Sequence, residues 1–290
     1  MDHSDAALEG LLARMLTAMA ERGGAPRLAA AMQHAVFPAG ARIRPRLCLA
    51  VAQACGAPQS ASAVAAAAAI ELLHCASLVH DDLPCFDNAD RRRGRPSVHR
   101  AFGERLAVLA GDALIVASFE AIALERQASA EQRVQLLTLL AQAAGMPRGL
   151  AAGQAWECEP ACELGQYQRA KTGSLFSAAT AAGAIAAGVD PEAWFSVGES
   201  IGEAYQVADD ICDVSASADA FGKPTRRDAA LGRPNAVNRL GMPQAREHLQ
   251  TLVSAAIERM PRCPGADALQ ATFRGATEQL LVRCSARPAA

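Results

Sequence analysis

The chain has 290 residues, of which 51% are hydrophobic and 20% charged, a balance that excludes a disordered chain or a mini-protein and suits one large core if the elements are long helices. Its 28 basic and 30 acidic residues leave a net charge of −2, so there is no positive surplus for a nucleic-acid surface or a polybasic membrane anchor, and small partners are expected. Nine cysteines, an odd number without a C-x-x-C pair, favour neither a disulfide framework nor a zinc site, and most read as small core residues. Cys158 and Cys162 lie four apart with no nearby histidine and do not change that.

Met1-Asp2-His3-Ser4-Asp5 has neither the basic nor the apolar region of a secretory signal, so a cytoplasmic location is expected. Alanine is the commonest residue and aromatics make up only 4%, so helix formers outnumber strand formers and an all-α fold is expected. Between clusters of Gly, Pro, Asn and Asp, helices are predicted over 5–21, 26–35, 43–55, 60–82, 103–125, 130–145, 164–187, 192–214, 243–260 and 265–284. Segment 60–82 carries no charge before Glu71 and is apolar almost all round, as for the central helix of a bundle. Segment 192–214 has similar character and is expected to face it. The most apolar tracts are 61–79, broken by Glu71 and His74, and 177–189, which is short and built of Ala and Gly, so no membrane span is expected. No linker or composition break divides the chain, and one domain over 1–290 is the economical expectation.

Each of the two apolar helices ends in aspartates. The first cluster is Asp81-Asp82-Leu83-Pro84-Cys85-Phe86-Asp87 and the second Asp209-Asp210-Ile211-Cys212-Asp213. Asp209 and Asp213, at i and i+4, stack on one helical face, where like charges repel unless a cation joins them. Asp81 and Asp87 are about 120° out of phase on a regular helix, but Pro84 is expected to end or kink that helix near Leu83 and let Asp87 swing back. A donor set dominated by hard carboxylate oxygens suits Mg²⁺ or Mn²⁺, and Mg²⁺ leaves positions for water and phosphate oxygens, which points to a diphosphate substrate. A lone D-D-x-x-D is more often a solvated helix end; two such clusters, each followed by a basic loop, make a functional pair the better explanation. Diphosphates also need cations. Candidates are Arg42 and Arg44, Arg91-Arg92-Arg93, Lys171, and Lys223 with Arg226, Arg227 and Arg233; Arg91, Arg100 and Arg226 read as surface charge.

The run from Glu71 through His74, His80-Asp81-Asp82 and Asp87 to Arg91-Arg92-Arg93-Gly94-Arg95-Pro96 resembles the first aspartate-rich region of the trans-polyprenyl diphosphate synthases, and Gln206-Val-Ala-Asp209-Asp210-Ile-Cys-Asp213 the second. Ala39-Gly-Ala-Arg-Ile-Arg-Pro45, Leu109-Ala-Gly-Asp-Ala-Leu114, Gly153-Gln154, Lys171-Thr-Gly-Ser-Leu-Phe176 and Gly222-Lys223-Pro follow in that family's order from about residue 37 to 235. Within it, the motifs are most similar to geranylgeranyl diphosphate synthases of the carotenoid and bacteriochlorophyll pathways in purple phototrophic bacteria.

The resemblance implies a single-domain, isoprenoid-synthase-type helical bundle around a central apolar cavity, and a homodimer. It assigns Asp81, Asp82, Asp87, Asp209, Asp210 and Asp213 to two or three Mg²⁺ ions shared with an allylic diphosphate, which Arg92, Lys171, Thr172, Gln206 and Lys223 would hold. Arg44, His74 and Arg93, with Arg42, would hold isopentenyl diphosphate. By itself His74 reads as a satisfied core histidine; the resemblance makes it a ligand. Ala76 and Ser77, one turn before Asp81, are small where the family places a bulky aromatic to stop chain growth, so a C20 product is expected. Some positions depart from the family: Ala41 replaces a lysine of the isopentenyl site, so that Arg42 compensates or binding weakens; Tyr205 replaces Phe, Glu157 stands where Asp is usual, and Arg233-Pro-Asn235 replaces Lys-x-Thr. A farnesyl diphosphate synthase, a terpene cyclase and a non-catalytic subunit of another synthase are the alternatives.

Overall fold

The computed structural model describes residues 3–161, 163–215 and 236–285. Its helices are α1 (His3–Glu21), α2 (Pro26–Val36), α3 (Ile43–Ala54), α4 (Ala61–Asp81), α5 (Val98–Phe102), α6 (Glu104–Ala123), α7 (Ala130–Ala144), α8 (Leu150–Ala155), α9 (Leu164–Gln168), α10 (Ser174–Ala186), α11 (Glu192–Ser215), α12 (Ala236–Leu240), α13 (Met242–Glu258) and α14 (Ala266–Ser285). Among the described residues the strands are β1 (Arg91–Arg92) and β2 (Arg95–Pro96), one antiparallel pair. The all-α expectation holds. The predicted segment 164–187 is not one continuous α-helix, because a π-turn over Arg169–Gly173 separates α9 from α10. The short helices α5, α8 and α12 and the hairpin had no periodic signal to announce them.

The chain forms two compact units, Met1–Ala141 with Ala182–Val189, and Gln142–Ala181 with Asp190–Ala290. In the first, α4 packs against α1, α2, α3 and α6. The Ser60 side chain caps α4 by accepting the Ala63 N–H at 3.2 Å, and no Gly or Pro interrupts the helix before Asp81. Its run of alanines lets neighbours come close, and α6 does so at Gly111, where a Cβ would stand 2.0 Å from His80 Nε2. Leu8, Leu12 and Leu16 of α1, spaced four apart, are all buried, each worth about 2 kcal/mol of apolar burial. Helices α4 and α6 have the length and apolarity of a membrane span, but 78% of the α4 window is buried inside the protein.

In the second unit α11 packs on α13, and Val207, Ile211, Val237 and Leu249 share one apolar cluster. Trp194 at the start of α11 is fully buried, its carbonyl accepting the Thr180 hydroxyl at 2.7 Å. Cys48 and Cys75 are core residues, as expected of most cysteines here, and burial pushes their thiols up to about 12. Cys212 is likewise buried, at 2% exposure in the apolar cluster of the second unit, but it is disulfide-bonded, which the odd count and wide spacing of the cysteines did not favour.

Candidate active site

Pro84 does what its position predicts. With no N–H of its own, it cannot continue α4, and the His80 carbonyl takes the Leu83 N–H instead at 3.1 Å. The chain then turns back, so that the Asp87 N–H donates to the Asp81 carbonyl at 2.9 Å and the Ala89 N–H to the Asp82 carbonyl at 3.1 Å. Asp81 and Asp87 are thereby neighbours and both stay half-exposed, whereas Asp82 is buried at 2% exposure. The Asp82 carboxylate accepts Arg92 Nη2 at 2.5 Å and Nε at 3.2 Å. Burial pushes the Asp82 carboxyl up against the pull of that guanidinium. On Arg92 burial acts against the charge, but the hydrogen bond to Asp82 and the field of Asp81, Asp82 and Asp87 outweigh it and raise its pKa.

Arg92 reaches Asp82 from a two-residue hairpin whose register pairs Arg91 with Pro96 and Arg92 with Arg95. Both turn residues have positive φ, 52° at Arg93 and 75° at Gly94, the pattern of a type I′ turn. Gly94 adopts it freely; Arg93 does so at a cost of about 1–2 kcal/mol. The Arg93 guanidinium lies 3.5 Å from the Ala35 and Pro38 carbonyls and 3.7 Å from Glu71. Gly40 allows this, since a Cβ there would stand 2.8 Å from Arg93 Nε. A cavity of the first unit is lined by Arg92, Arg93, Arg95, His34, Phe37 and Asp82, among others. Arg44 and His74, the other candidates for the isopentenyl site, are not in that lining.

Arg42 lies elsewhere. Its side chain is 3% exposed and donates to Glu71 at 2.5 Å, to Glu9 at 2.7 and 3.2 Å, and to the Val36 carbonyl at 3.1 Å. Burial works against its charge, yet the two carboxylates hold its pKa above the ordinary arginine value. Four of its five N–H hydrogens are thus engaged on an almost wholly buried side chain, so Arg42 is spent on this network rather than presented to a substrate in place of the lysine missing at Ala41. Sequence reasoning missed Glu71 as the centre of this network, although a signal existed: it is the first charge in an otherwise apolar helix, and a buried carboxylate requires a partner.

In the second unit the π-turn brings Lys171 and Thr172 out of α-helical register; such one-residue expansions are frequent at functional sites. Gly153 of α8 lies against this turn, where a Cβ would come within 2.4 Å of the Lys171 nitrogen. Lys171 Nζ pairs with Glu157 at 2.5 Å, and the Tyr167 hydroxyl donates to the same oxygen at 2.6 Å. The Thr172 hydroxyl donates to Gln206 Oε1 at 3.0 Å, Gln206 Nε2 donates to Asp210 Oδ1 at 3.0 Å, and the Ala236 N–H donates to Asp210 Oδ2 at 2.7 Å. Asp210 is buried at 3% exposure, whereas Asp209, one residue earlier on α11, is half-exposed. Lys223, Arg226, Arg227 and Arg233 lie outside the described residues, as does the Asp213 side chain. Before the first cluster, Ala76 is buried and Ser77 half-buried, its hydroxyl donating to the His74 carbonyl at 2.8 Å.

Residues 25–268 match the polyprenyl synthetase family. The chain belongs to that family. It is 51% identical to the geranylgeranyl diphosphate synthase of Rhodobacter capsulatus over 90% of either chain. Among solved structures it is similar to an FPP/GFPP synthase from Zymomonas mobilis (TM-score 0.77, 31% identity, 94% of this chain and 98% of that one). It is similar also to the geranyltransferase of Helicobacter pylori complexed with magnesium and isoprenyl diphosphate (TM-score 0.76, 29% identity, 98% and 99%). The fold is thus that of an isoprenoid synthase.

For a polyprenyl synthetase, the donor set has to suit a divalent ion shared with substrate. Among the described residues no three His, Cys, Asp or Glu side chains form a closed metal cage. Asp81 and Asp87 instead offer two half-exposed carboxylates joined by one turn, an open oxygen site of the kind Mg²⁺ accepts, with its remaining positions left to water and phosphate. The residues therefore fit the ion.

Proposed function

We propose that the chain is a Mg²⁺-dependent trans-prenyltransferase that condenses isopentenyl diphosphate with an allylic diphosphate, farnesyl diphosphate in the last step, to give geranylgeranyl diphosphate. The observation that carries this is the turn after α4, which sets Asp81 beside Asp87 and is followed at once by the Arg92–Arg93 hairpin. The 51% identity to a geranylgeranyl diphosphate synthase points the same way.

Asp81 and Asp87, with Asp209 and Asp213, are the carboxylates for Mg²⁺; Asp82 and Asp210 serve the same sites from inside by holding Arg92 and Gln206. Bound Mg²⁺ would neutralise the charge that develops on the departing diphosphate. Arg92 and Lys171, with Lys223, hold the allylic diphosphate and stabilise the same charge through hydrogen bonds. Thr172 and Gln206 line the allylic end. Arg93, Arg44 and His74 orient isopentenyl diphosphate so that its C4 attacks the allylic cation; Arg42 is a buried strut. Among the described residues no side chain offers itself as base, and the departing diphosphate takes the proton. Ala41 leaves the isopentenyl site one cation short, so its KM rises rather than activity vanishing, by about the 1.5–3 kcal/mol of a charged hydrogen bond.

Incubation with Mg²⁺, labelled isopentenyl diphosphate and each allylic primer, followed by chromatography, is the direct test. A C15 end product would make the chain a farnesyl diphosphate synthase, and no elongation with any primer would rule out a synthase. Ala76→Phe fills the small position one turn before Asp81 and is expected to move output from C20 to C15; an unchanged C20 product would remove Ala76 and Ser77 from chain-length control.

The whole chain acts as one catalytic domain, in the cytoplasm and, in purple-bacterial fashion, supplying carotenoid precursors. It acts as a homodimer: α6 leaves Val108, Leu109 and Val116 on one exposed face, at 42%, 50% and 66%. A monomer in sedimentation at micromolar concentration would contradict that.

A further inference from the structure

One polar pair of the first unit has no part in the chemistry above, His34 of α2 and Arg95 of β2. Arg95 donates from Nη2 to His34 Nδ1 at 2.7 Å and from Nη1 to the Phe37 carbonyl at 2.8 Å, and His34 Nε2 stands 2.8 Å from the Pro96 carbonyl. A guanidinium only donates and a carbonyl only accepts. His34 is therefore neutral with its proton on Nε2, giving that proton to Pro96 and accepting one from Arg95. Its ring meets Phe102 of α5 edge-on, with centroids 5.3 Å apart. One imidazole thus grips both residues of β2, whose partner strand carries Arg92 and whose turn carries Arg93.

We propose that His34 and Arg95 form a latch that holds the two-arginine hairpin in the geometry in which Arg93 meets isopentenyl diphosphate. It rests on the assignment of Arg93 to that substrate. Strands of two residues are marginal alone, and Arg93 occupies a left-handed conformation that persists only where its surroundings over-determine it. The contacts of the Arg93 guanidinium with carbonyl and carboxylate oxygens are too long to do so, at 3.5 to 3.7 Å, and its other partner is the weakly hydrogen-bonding Cys75 thiol. The short contacts that tie the hairpin to the rest of the unit are those of Arg92 with Asp82 and of Arg95 with His34 and Phe37, while Arg91 donates within it to the Gly94 carbonyl. The strands are thereby anchored while the Arg93 guanidinium stays loosely held, ready to close on an anion. His34, Arg93 and Arg95 all line the same cavity. Both latch residues are positioning residues; neither touches a reacting atom.

Steady-state kinetics and amide hydrogen exchange on the full chain test this. His34→Phe keeps the ring against Phe102 and removes both hydrogen bonds, and Arg95→Met keeps most of the side-chain stem. Each is expected to raise KM for isopentenyl diphosphate about tenfold, the scale of a small misplacement of a binding group, while kcat and the allylic KM stay within about twofold. The double variant should be no worse than either single one, and amides of 91–97 should exchange faster. His34→Asn, whose Oδ1 can take the place of Nδ1, should recover most of the loss. An unchanged isopentenyl KM in His34→Phe alongside a raised one in Arg93→Met would overturn the latch. So would equal losses for both substrates, which mean a general structural role. So would an Arg95→Met loss that exceeds that of His34→Phe and adds to it, because Arg95 would then meet the diphosphate itself. Faster exchange with unchanged KM in all three single variants, Arg93→Met included, would leave the latch standing and take Arg93 out of the isopentenyl site.

Discussion

The two aspartate clusters, one in each unit, bury their second carboxylate alike and draw the hydrogen bonds described above from different places in the chain. Asp82 and Asp210 are both almost wholly buried beside a more open aspartate one residue earlier. Asp82 is held by a cation, Arg92, which arrives from a hairpin ten residues on. The named partners of Asp210 are neutral: the Gln206 amide, one turn earlier on the same helix, and the Ala236 N–H at the start of α12. A buried carboxylate needs hydrogen bonds to survive desolvation. A helix that ends at Pro84 can recruit a distant cation by folding back, whereas one that runs on past Asp210 has its own preceding turn to draw on. In both clusters the outer aspartate is the more exposed one, and the inner one fixes the side chain proposed to meet the substrate.

That contrast can be tested in order of expected effect. Asp81→Asn and Asp209→Asn should each lower kcat/KM about 10³-fold, roughly 4 kcal/mol of transition-state stabilisation; if Asp209→Asn were neutral, the second cluster would not be a metal site. Arg92→Met strands a buried charge on Asp82 and should cost about 3 kcal/mol in urea unfolding. Asp82→Asn combined with it should restore part of that, and no restoration would mean that Arg92 stabilises through some other contact. Asp210→Asn keeps an acceptor but replaces a charged one, so a smaller loss of about 2 kcal/mol is expected; a loss exceeding that of Arg92→Met would reverse the ranking of the two clusters.

The smallest effect is on pH. His99 accepts or donates at Nδ1 with the Ser97 hydroxyl at 3.0 Å, and its buried Nε2 has no hydrogen-bond partner among the described residues. Burial, then Arg100, lowers its pKa below 6.5. The unfolded chain therefore binds this proton first, and the stability that His99 contributes is complete above its unfolded pKa and declines as pH falls below about 6.5. His99→Gln should flatten that part of a melting-temperature profile; an unaltered acid slope would assign it to other groups.

Much of this could be read in advance. Uninterrupted alanine and leucine periodicity placed the long helices, since local propensity and the need to bury one face act within a few turns. Pro84 announced the return of Asp87 because a missing N–H is a local fact. The hairpin was not legible: a left-handed arginine at Arg93 opposes local preference, and the short contacts that anchor its strands reach Asp82, ten positions back, and His34 and Phe37, some sixty positions back. The break at Arg169–Gly173 was invisible for a similar reason, as α- and π-turns use the same helix formers.

Arg42 marks the boundary most clearly. From its motif it could be a substrate cation or a strut, and a guanidinium in sequence carries no sign of which carboxylates will surround it. Helix type, the aspartate clusters and the family to which they belong are written in short-range pattern, where each residue's own chemistry decides. Which arginine is spent on Glu9 and Glu71, which aspartate turns inward, and which histidine nitrogen keeps its proton were settled only when packing brought distant groups within hydrogen-bond reach, because the strength of a charge or a donor depends on what shares its burial.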